Sequence, residues 1–256
     1  MRAVPAPLHL ARYLSGMALA LLAACIPSTT PPESDPLVVF TFDDAHHSVY
    51  EIAGPLMRSY DPSWGATHFF PLEYPRQPGL MTLAQVQEME ALGWETGGHG
   101  RTHENLSAVT MDQVRSDVAA SDSFLRANGL SHESYAYAFG NYNDSVQAVV
   151  AEHFRNIRTS HDFKYLDGVN RLQLGAYDAK AGHTADDLIG RIEEARLAGS
   201  PLVIFCFHVI VPDTATPDVS HDWWTHESAF IGLLDYLRER GMEVMTVRAA
   251  MAELCQ

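Results

Sequence analysis

Apolar positions along the chain switch repeatedly between two periods. Residues 37–42 (LVVFTF) form a continuous, β-branched run, as a buried strand requires. Val49, Ile52, Ala53, Leu56 and Met57 then fall at helical spacing over 49–60. Strand character returns at 66–70. A helix follows over 82–92, with Thr82 and Gln85 placed as a capping box. The alternation continues with a strand at 94–96, a helix over 110–127 stopped by Asn128-Gly129, and a strand at 134–139. Asp144 caps a helix to about residue 153, and short strands follow at 155–159 and 171–174. A helix over 184–198 leads into a buried strand at 201–207 (PLVIFCF). A helix over 226–240 is ended by Gly241, and the last strand spans 243–247. Alternating strand and helix in one chain predict a mostly parallel sheet, open or closed, in a single α/β domain.

The first residues follow a different logic. Arg2 and Arg12 precede an apolar run of about 11 residues, too short for a bilayer-spanning helix, which needs roughly 20. Leu22-Ala23-Ala24-Cys25 resembles a bacterial lipobox. Residues 1–24 are therefore expected to be a signal peptide, Cys25 to carry a lipid, and the Pro- and Ser-rich stretch to residue 36 to be a flexible tether. The folded domain is expected over 37–256. This places the protein in the bacterial cell envelope, on a membrane through its lipid, facing the periplasm or the exterior. Ile26 after the cysteine gives no inner-membrane retention signal.

Composition narrows the function. There are 17 Lys and Arg against 32 Asp and Glu, a formal charge of −15. Losing Arg2 and Arg12 and no acid with the leader takes it to −17. Such a chain lacks the basic face that nucleic acid requires. Three cysteines make no disulfide framework and no CxxC zinc pattern; pairing of Cys206 with Cys255 is left open.

In a parallel barrel the chemistry lies at the C-terminal ends of the strands. Those ends carry Asp43-Asp44, Gly97-Gly98-His99, Gly140-Asn141-Tyr142 and His208. Two adjacent carboxylates leaving a buried strand repel one another, which a cation would relieve; the pair also fits a helix N-cap. His99 and His103, four apart on a helical turn or tight loop, would present two imidazoles to one side. Gly97-Gly98 lets the backbone approach a neighbour closely. Two His and one carboxylate make an open zinc site, a second carboxylate could take a proton from water, and His208 could protonate a leaving group.

These motifs, in this order, resemble the polysaccharide deacetylase family, carbohydrate esterase family 4. Thr41-Phe42-Asp43-Asp44 matches its first motif and His99-Gly100-Arg101-Thr102-His103 its second. Residues 136–142 (AYAFGNY) resemble its third and 202–208 (LVIFCFH) its fifth. The resemblance implies a distorted (β/α) barrel, often seven-stranded. It implies Asp43 as catalytic base, and Asp44, His99 and His103 as ligands of one divalent metal, zinc first, with cobalt, nickel or manganese possible. His208 is implied as general acid, with oxyanion or substrate contacts at Tyr142 and Asn141.

Four departures stand out. Gly100 replaces a Ser or Thr that braces the metal site, Ala45 replaces a Gly, and Ala138 a Pro. The arginine that orients the catalytic Asp in many members has no counterpart; residues 135–138 offer none. For the Asp that partners the acid histidine, Asp178 is the first choice by distance and Asp167 the second.

Trp223 and Trp224, on a loop after His208, are candidates for stacking on a sugar or for packing the loop. His46 and His47 could touch substrate or simply open a helix, and His68 reads as a core histidine. The expected activity is metal-dependent removal of N-acetyl groups from a cell-surface or extracellular polysaccharide, releasing acetate, with no protein partner. The alternatives are an O-acetyl esterase of the xylan type and a degenerate glycan-binding lipoprotein.

Overall fold

The computed structural model describes residues 35–73, 79–160, 165, 168–217 and 221–255. The leader, Cys25, most of the tether and Asp167 lie outside the described residues. Among the described residues, no helix is long and apolar enough to cross a membrane.

The elements, in chain order, begin with β1 (Leu37–Phe42), a π-helical turn at Val49–Ala53 running into α1 (Gly54–Tyr60), β2 (Thr67–Phe70), α2 (Leu83–Ala91) and β3 (Glu95–Gly98). Then come α3 (Met111–Ala127), β4 (Ser134–Ala136), α4 (Asp144–Ala151), β5 (Asn156–Arg158), β6 (Tyr177–Asp178) and α5 (Ala185–Ala198). The chain closes with β7 (Leu202–Phe207), β8 (Val209–Val211), β9 (Trp224–His226), α6 (Glu227–Arg240), β10 (Val244–Met245) and α7 (Val247–Leu254).

The main sheet is parallel throughout, in the order β5-β4-β3-β2-β1-β7-β6. β10 pairs with the start of β1, and β8 and β9 form a separate parallel pair. The sheet curls until a bridge between Arg158 and Leu174, just ahead of β6, narrows the gap between its edges. The result is the distorted (β/α) barrel that the alternating pattern and the resemblance anticipate.

Strand alternation sorts side chains into two cores. Phe40, Phe42, Val203, Phe205, Phe207, Tyr135 and Ile157 point outward to the helices, with Phe230 of α6 among them. Burying each such ring contributes roughly 1.5–3 kcal/mol. Val39, Phe69, Ala136, Leu174, Ala176, Ile204 and Cys206 point inward. Val247, Ala250 and Met251 of α7 join this inner core. Here Glu95, fully buried, accepts from Thr67 Oγ1 (2.8 Å), Ser134 Oγ (2.6 Å) and the Arg248 N–H (2.8 Å), so that α7 is fastened to the barrel.

Several local expectations hold. Thr82 forms a capping box with Gln85, and Gly129 and Gly241 take positive φ after their helices; Thr110 forms a second box with Gln113. Others are corrected. Asn143, not Asp144, caps α4 through a bond to the Val146 N–H. The strand expected at 134–139 stops at Ala136, because the chain turns through Ala138–Gly140 with Phe139 at φ 59°. The stretch 171–174 contributes a bridge rather than a strand. The strand expected over 243–247 shrinks to two residues before α7. Apolar residues at 247, 250, 251 and 254, after the capping Thr246, were the available signal for that helix.

Candidate metal centre and active site

The inward-facing row that starts with Val39 and Thr41 on β1 reaches Asp43 just past the strand end. Asp43 remains in the ladder, its N–H donating to Phe207 O at 2.8 Å. Asp44 and Ala45 then take φ 66° and 54°. Left-handed backbone costs an ordinary residue about 1–2 kcal/mol, and Ala45 bears that where the family pattern has Gly. The turn separates the two acids: Asp43 faces the barrel interior, and Asp44 faces the loop after β3.

His99 follows β3, and its Nδ1–H donates to Ala136 O on the neighbouring β4 at 2.9 Å. This bond leaves Nε2 with its lone pair free for a metal. The loop returns through Gly100 (φ 79°) to His103 (φ 56°), so the His pair is brought together by a left-handed bend rather than a helical turn. Asp44 Oδ1 lies 3.0 Å from His103 Nε2 and 3.4 Å from His99 Nε2. The ligand atoms of Asp44, His99 and His103 all lie within 4.8 Å of one another. Asp44 Oδ1 is buried and has no hydrogen bond of acceptable geometry among the described residues. Two imidazole nitrogens and one carboxylate oxygen converging at these distances are a donor set that fits a divalent cation.

The missing hydroxyl at Gly100 has a replacement. Asp117 of α3 accepts from the Arg101 N–H at 2.9 Å, and the Thr102 N–H also bonds to it. A Cβ at Gly100 would come 3.1 Å from Asp117 Oδ1. The loop is therefore braced by a helix-borne carboxylate instead of a side chain of its own.

The arginine judged absent from the sequence is present from another strand. Arg158, the last residue of β5, is almost wholly buried and donates to Asp43 Oδ2. Its guanidinium also lies over the Phe69 ring, 5.3 Å from the centroid. Burial by itself would raise the Asp43 carboxyl, but Arg158, with His99 and His208, holds it below its usual value. Arg158 ends a three-residue strand, Asn156–Arg158, that has no apolar run to mark it, so the sequence carried no local signal for this role.

His208 follows β7 and approaches Asp43, with Nε2 4.0 Å from Oδ2. Burial pushes its imidazolium down against the opposing pull of Asp43 and Asp44. Its Nδ1 is buried without a hydrogen-bond partner among the described residues. Asp178 is therefore not bonded to His208; it faces Arg158 and Cys206, and burial pushes its carboxyl up to about 6. Cys206 is a free thiol, which excludes a bond to Cys255.

The remaining candidates divide. Trp223 packs on His208 with ring centroids 5.3 Å apart, whereas Trp224 packs on His226 at 4.8 Å, away from this cluster. Tyr142 stacks on Tyr137 at 5.0 Å, and Asn141 is exposed. Besides Ala136, whose carbonyl holds His99, Phe139 of this motif touches the metal-ligand cluster: its ring lies 4.8 Å from His103 while 63% exposed. His46 is buried beside Ser48, His47 bonds Gly79 O, and His68 is a core residue bonded to Thr96 Oγ1 at 2.8 Å.

The curled parallel sheet with this cluster at its strand ends matches the distorted (β/α) barrel of carbohydrate esterase family 4. The polysaccharide deacetylase family model matches residues 30–155, the part of the chain that carries Asp43, Asp44, His99 and His103. No curated protein matches it in sequence. Among solved structures it is similar to the Xyl-CE4 domain of a multidomain xylanase from the hindgut metagenome of Trinervitermes trinervoides. The identity is 15% and the TM-score 0.59, over 86% of this chain and 91% of that one. It is also similar to a family 4 acetyl xylan esterase from Clostridium thermocellum in complex with a cobalt ion (17%, TM-score 0.57, 85% and 91% covered). A third is a family 4 pseudoenzyme from Bacillus anthracis (17%, TM-score 0.56, 89% and 67% covered).

Proposed function

We propose that this protein removes acetyl groups from an N-acetylated cell-surface or extracellular polysaccharide, with one divalent metal held by Asp44, His99 and His103. The observation that carries this reading is the separation of roles between the two adjacent acids. Asp44 Oδ1 converges with two imidazole nitrogens, while Asp43 is clamped by Arg158 and faces His208. Zinc suits the mixed nitrogen and oxygen donors, and the cobalt-bearing esterase is in keeping with other first-row metals. Such an ion supplies Lewis acidity at the acetyl carbonyl and acidifies water.

The chain's own residues supply the rest. Asp43 Oδ1, the oxygen not engaged by Arg158, has no hydrogen-bond partner among the described residues and accepts the proton of the attacking water. The main-chain N–H of Tyr142 helps to hold the developing oxyanion. His208 Nε2 delivers a proton to the departing amine, and acetate and a free amino sugar leave.

One observation favours a second reading, hydrolysis of O-acetyl esters. Among the described residues no carboxylate bonds His208 Nδ1 to stabilise its protonated form, and an alkoxide leaves with less help than an amine.

Acetate release from chitin oligomers, peptidoglycan, poly-N-acetylglucosamine and acetylxylan, with and without chelator, tests both. The proposal expects chelator-sensitive release from N-acetylated polymers, restored by zinc or cobalt. Release from acetylxylan alone selects the ester reading. Glycan binding with no release from the metal-loaded protein removes both in favour of a binding protein.

We also propose that the leader delivers the protein to the cell envelope and that Cys25 is its lipid anchor, on the strength of the lipobox. Cys25→Ala should move the protein from the membrane to the soluble fraction. A wild type that is already soluble overturns the anchor.

A further inference from the structure

We propose that Lys180, held over Trp223, is a carboxylate-binding subsite beside His208, and that the favoured substrate is an N-acetylated saccharide carrying a carboxylate near its acetamide. This rests on the saccharide reading of the cleft.

The placement follows from β6. Ala176 belongs to the inner core, Asp178 faces Arg158, and Lys180 is the next residue on that side. The ladder still runs past the end of β6, because the Ala179 N–H donates to Cys206 O at 2.9 Å, two residues before His208. Lys180 is then fixed by its own backbone, whose N–H donates to His183 Nδ1 at 3.1 Å. The Ala181 N–H donates to Asp222 O at 2.8 Å, tying this turn to the loop that carries Trp223. The ammonium lies 4.3 Å from the centroid of the Trp223 ring, and that ring lies 5.3 Å from the His208 ring. Lys180, Trp223 and His208 thus form one row leading to the reacting centre.

The chemistry of this row is selective. Among the described residues, Lys180 forms no salt bridge, in a chain where acids outnumber bases 32 to 17. Contact with a π face orients an ammonium but uses none of its capacity to donate to an anion. The other charges lining this part of the barrel are Asp43, Asp44, Asp178 and the Arg158 already bound to Asp43. A neutral sugar gains little from a lysine here, whereas a sugar carboxylate gains a charge-assisted hydrogen bond. At physiological salt, charges beyond about 8 Å are largely screened, so this local cation outweighs the acidic surface as a whole.

The test is a calorimetric titration of the full chain carrying Asp43→Asn, which blocks turnover, with two oligosaccharides. One is an N-acetylhexosamine oligomer bearing a lactyl-ether carboxylate, and the other is the same oligomer with that carboxylate amidated. The acidic oligomer should bind about tenfold tighter. Adding Lys180→Ala should bring its affinity down to that of the amide, Lys180→Glu should reverse the order, and Lys180→Arg should keep it. Equal affinities without the Lys180 change, a ratio that survives Lys180→Ala, or no binding of either oligomer overturns the subsite. Acetate release by the wild type on the same pair separates the two readings. Preference in binding without release removes the deacetylase, and release without preference removes the subsite.

Discussion

Arg158 donates to Asp43 across 115 residues of sequence, from the end of β5 to the end of β1, in a part of the barrel that excludes nearly all solvent. Breaking a buried pair strands one charge and costs about 3–5 kcal/mol, whereas removing both partners costs less. Arg158→Gln should therefore lower the urea midpoint sharply. Asp43→Asn with Arg158→Gln should lose less than the two single losses together. The same Arg158→Gln should slow acetate release about 10²-fold, as expected when a base loses its orientation, with metal content unchanged. Loss of metal in step with activity would show that Arg158 supports the metal centre and not Asp43 alone.

Asp117 braces the loop between His99 and His103 through backbone N–H groups, and it does not belong to the ligand set. Removing such a support weakens metal binding by about 10–100-fold without abolishing it. Asp117→Ala should show this in a chelator competition, while His103→Ala should lose stoichiometric metal altogether. Equal affinity in wild type and Asp117→Ala would mean that the bend holds its shape unaided.

His68 is buried against Thr96, and burial lowers its imidazole to about 3, from an ordinary value near 6.5. The unfolded chain takes up this proton as pH falls below about 6.5, and the folded chain does not until near 3. The stability contributed is complete above pH 6.5 and declines by about 1.4 kcal/mol per unit below it. His68→Gln does not titrate. The stability gap between wild type and variant should shift in the variant's favour from pH 7 to pH 5, read as urea midpoints. A gap independent of pH would place the His68 proton equilibrium outside folding.

What was legible in the sequence is what is local. The capping box at Thr82 and the apolar runs at β1 and β7 are encoded within a few residues, and the structure has them where the pattern puts them. The HxxxH spacing identified the ligand pair, although a bend with two positive φ values delivers it, which spacing alone does not distinguish from a helix. Arg158 was missed because its role depends on which strands the curled sheet brings to face one another. Asp178 was assigned to His208 by distance along the chain, yet strand register places it beside Cys206 and Arg158. Two-residue strands such as β6 and β10 are too short to carry a period, and they exist because neighbours supply their hydrogen bonds.

His208 separates the amide and ester readings. It ends the inward-facing row of β7 with Nε2 turned toward Asp43, and its Nδ1 has no partner among the described residues. An amine leaves only if it is protonated as the carbon–nitrogen bond breaks, whereas an aryl oxide needs almost no help. His208→Ala should therefore reduce acetate release from an N-acetyl sugar by about 10² to 10⁴, the span expected for a positioned acid. The same preparation should lose far less on an aryl acetate, for which Asp43 and the metal suffice. Assaying both substrates on one sample cancels differences in metal content. Equal losses on the two would assign His208 to the architecture of the site. A wild type active on O-acetyl esters alone would leave the histidine without an amine to protonate, and its unpartnered Nδ1 would then be the structural reason.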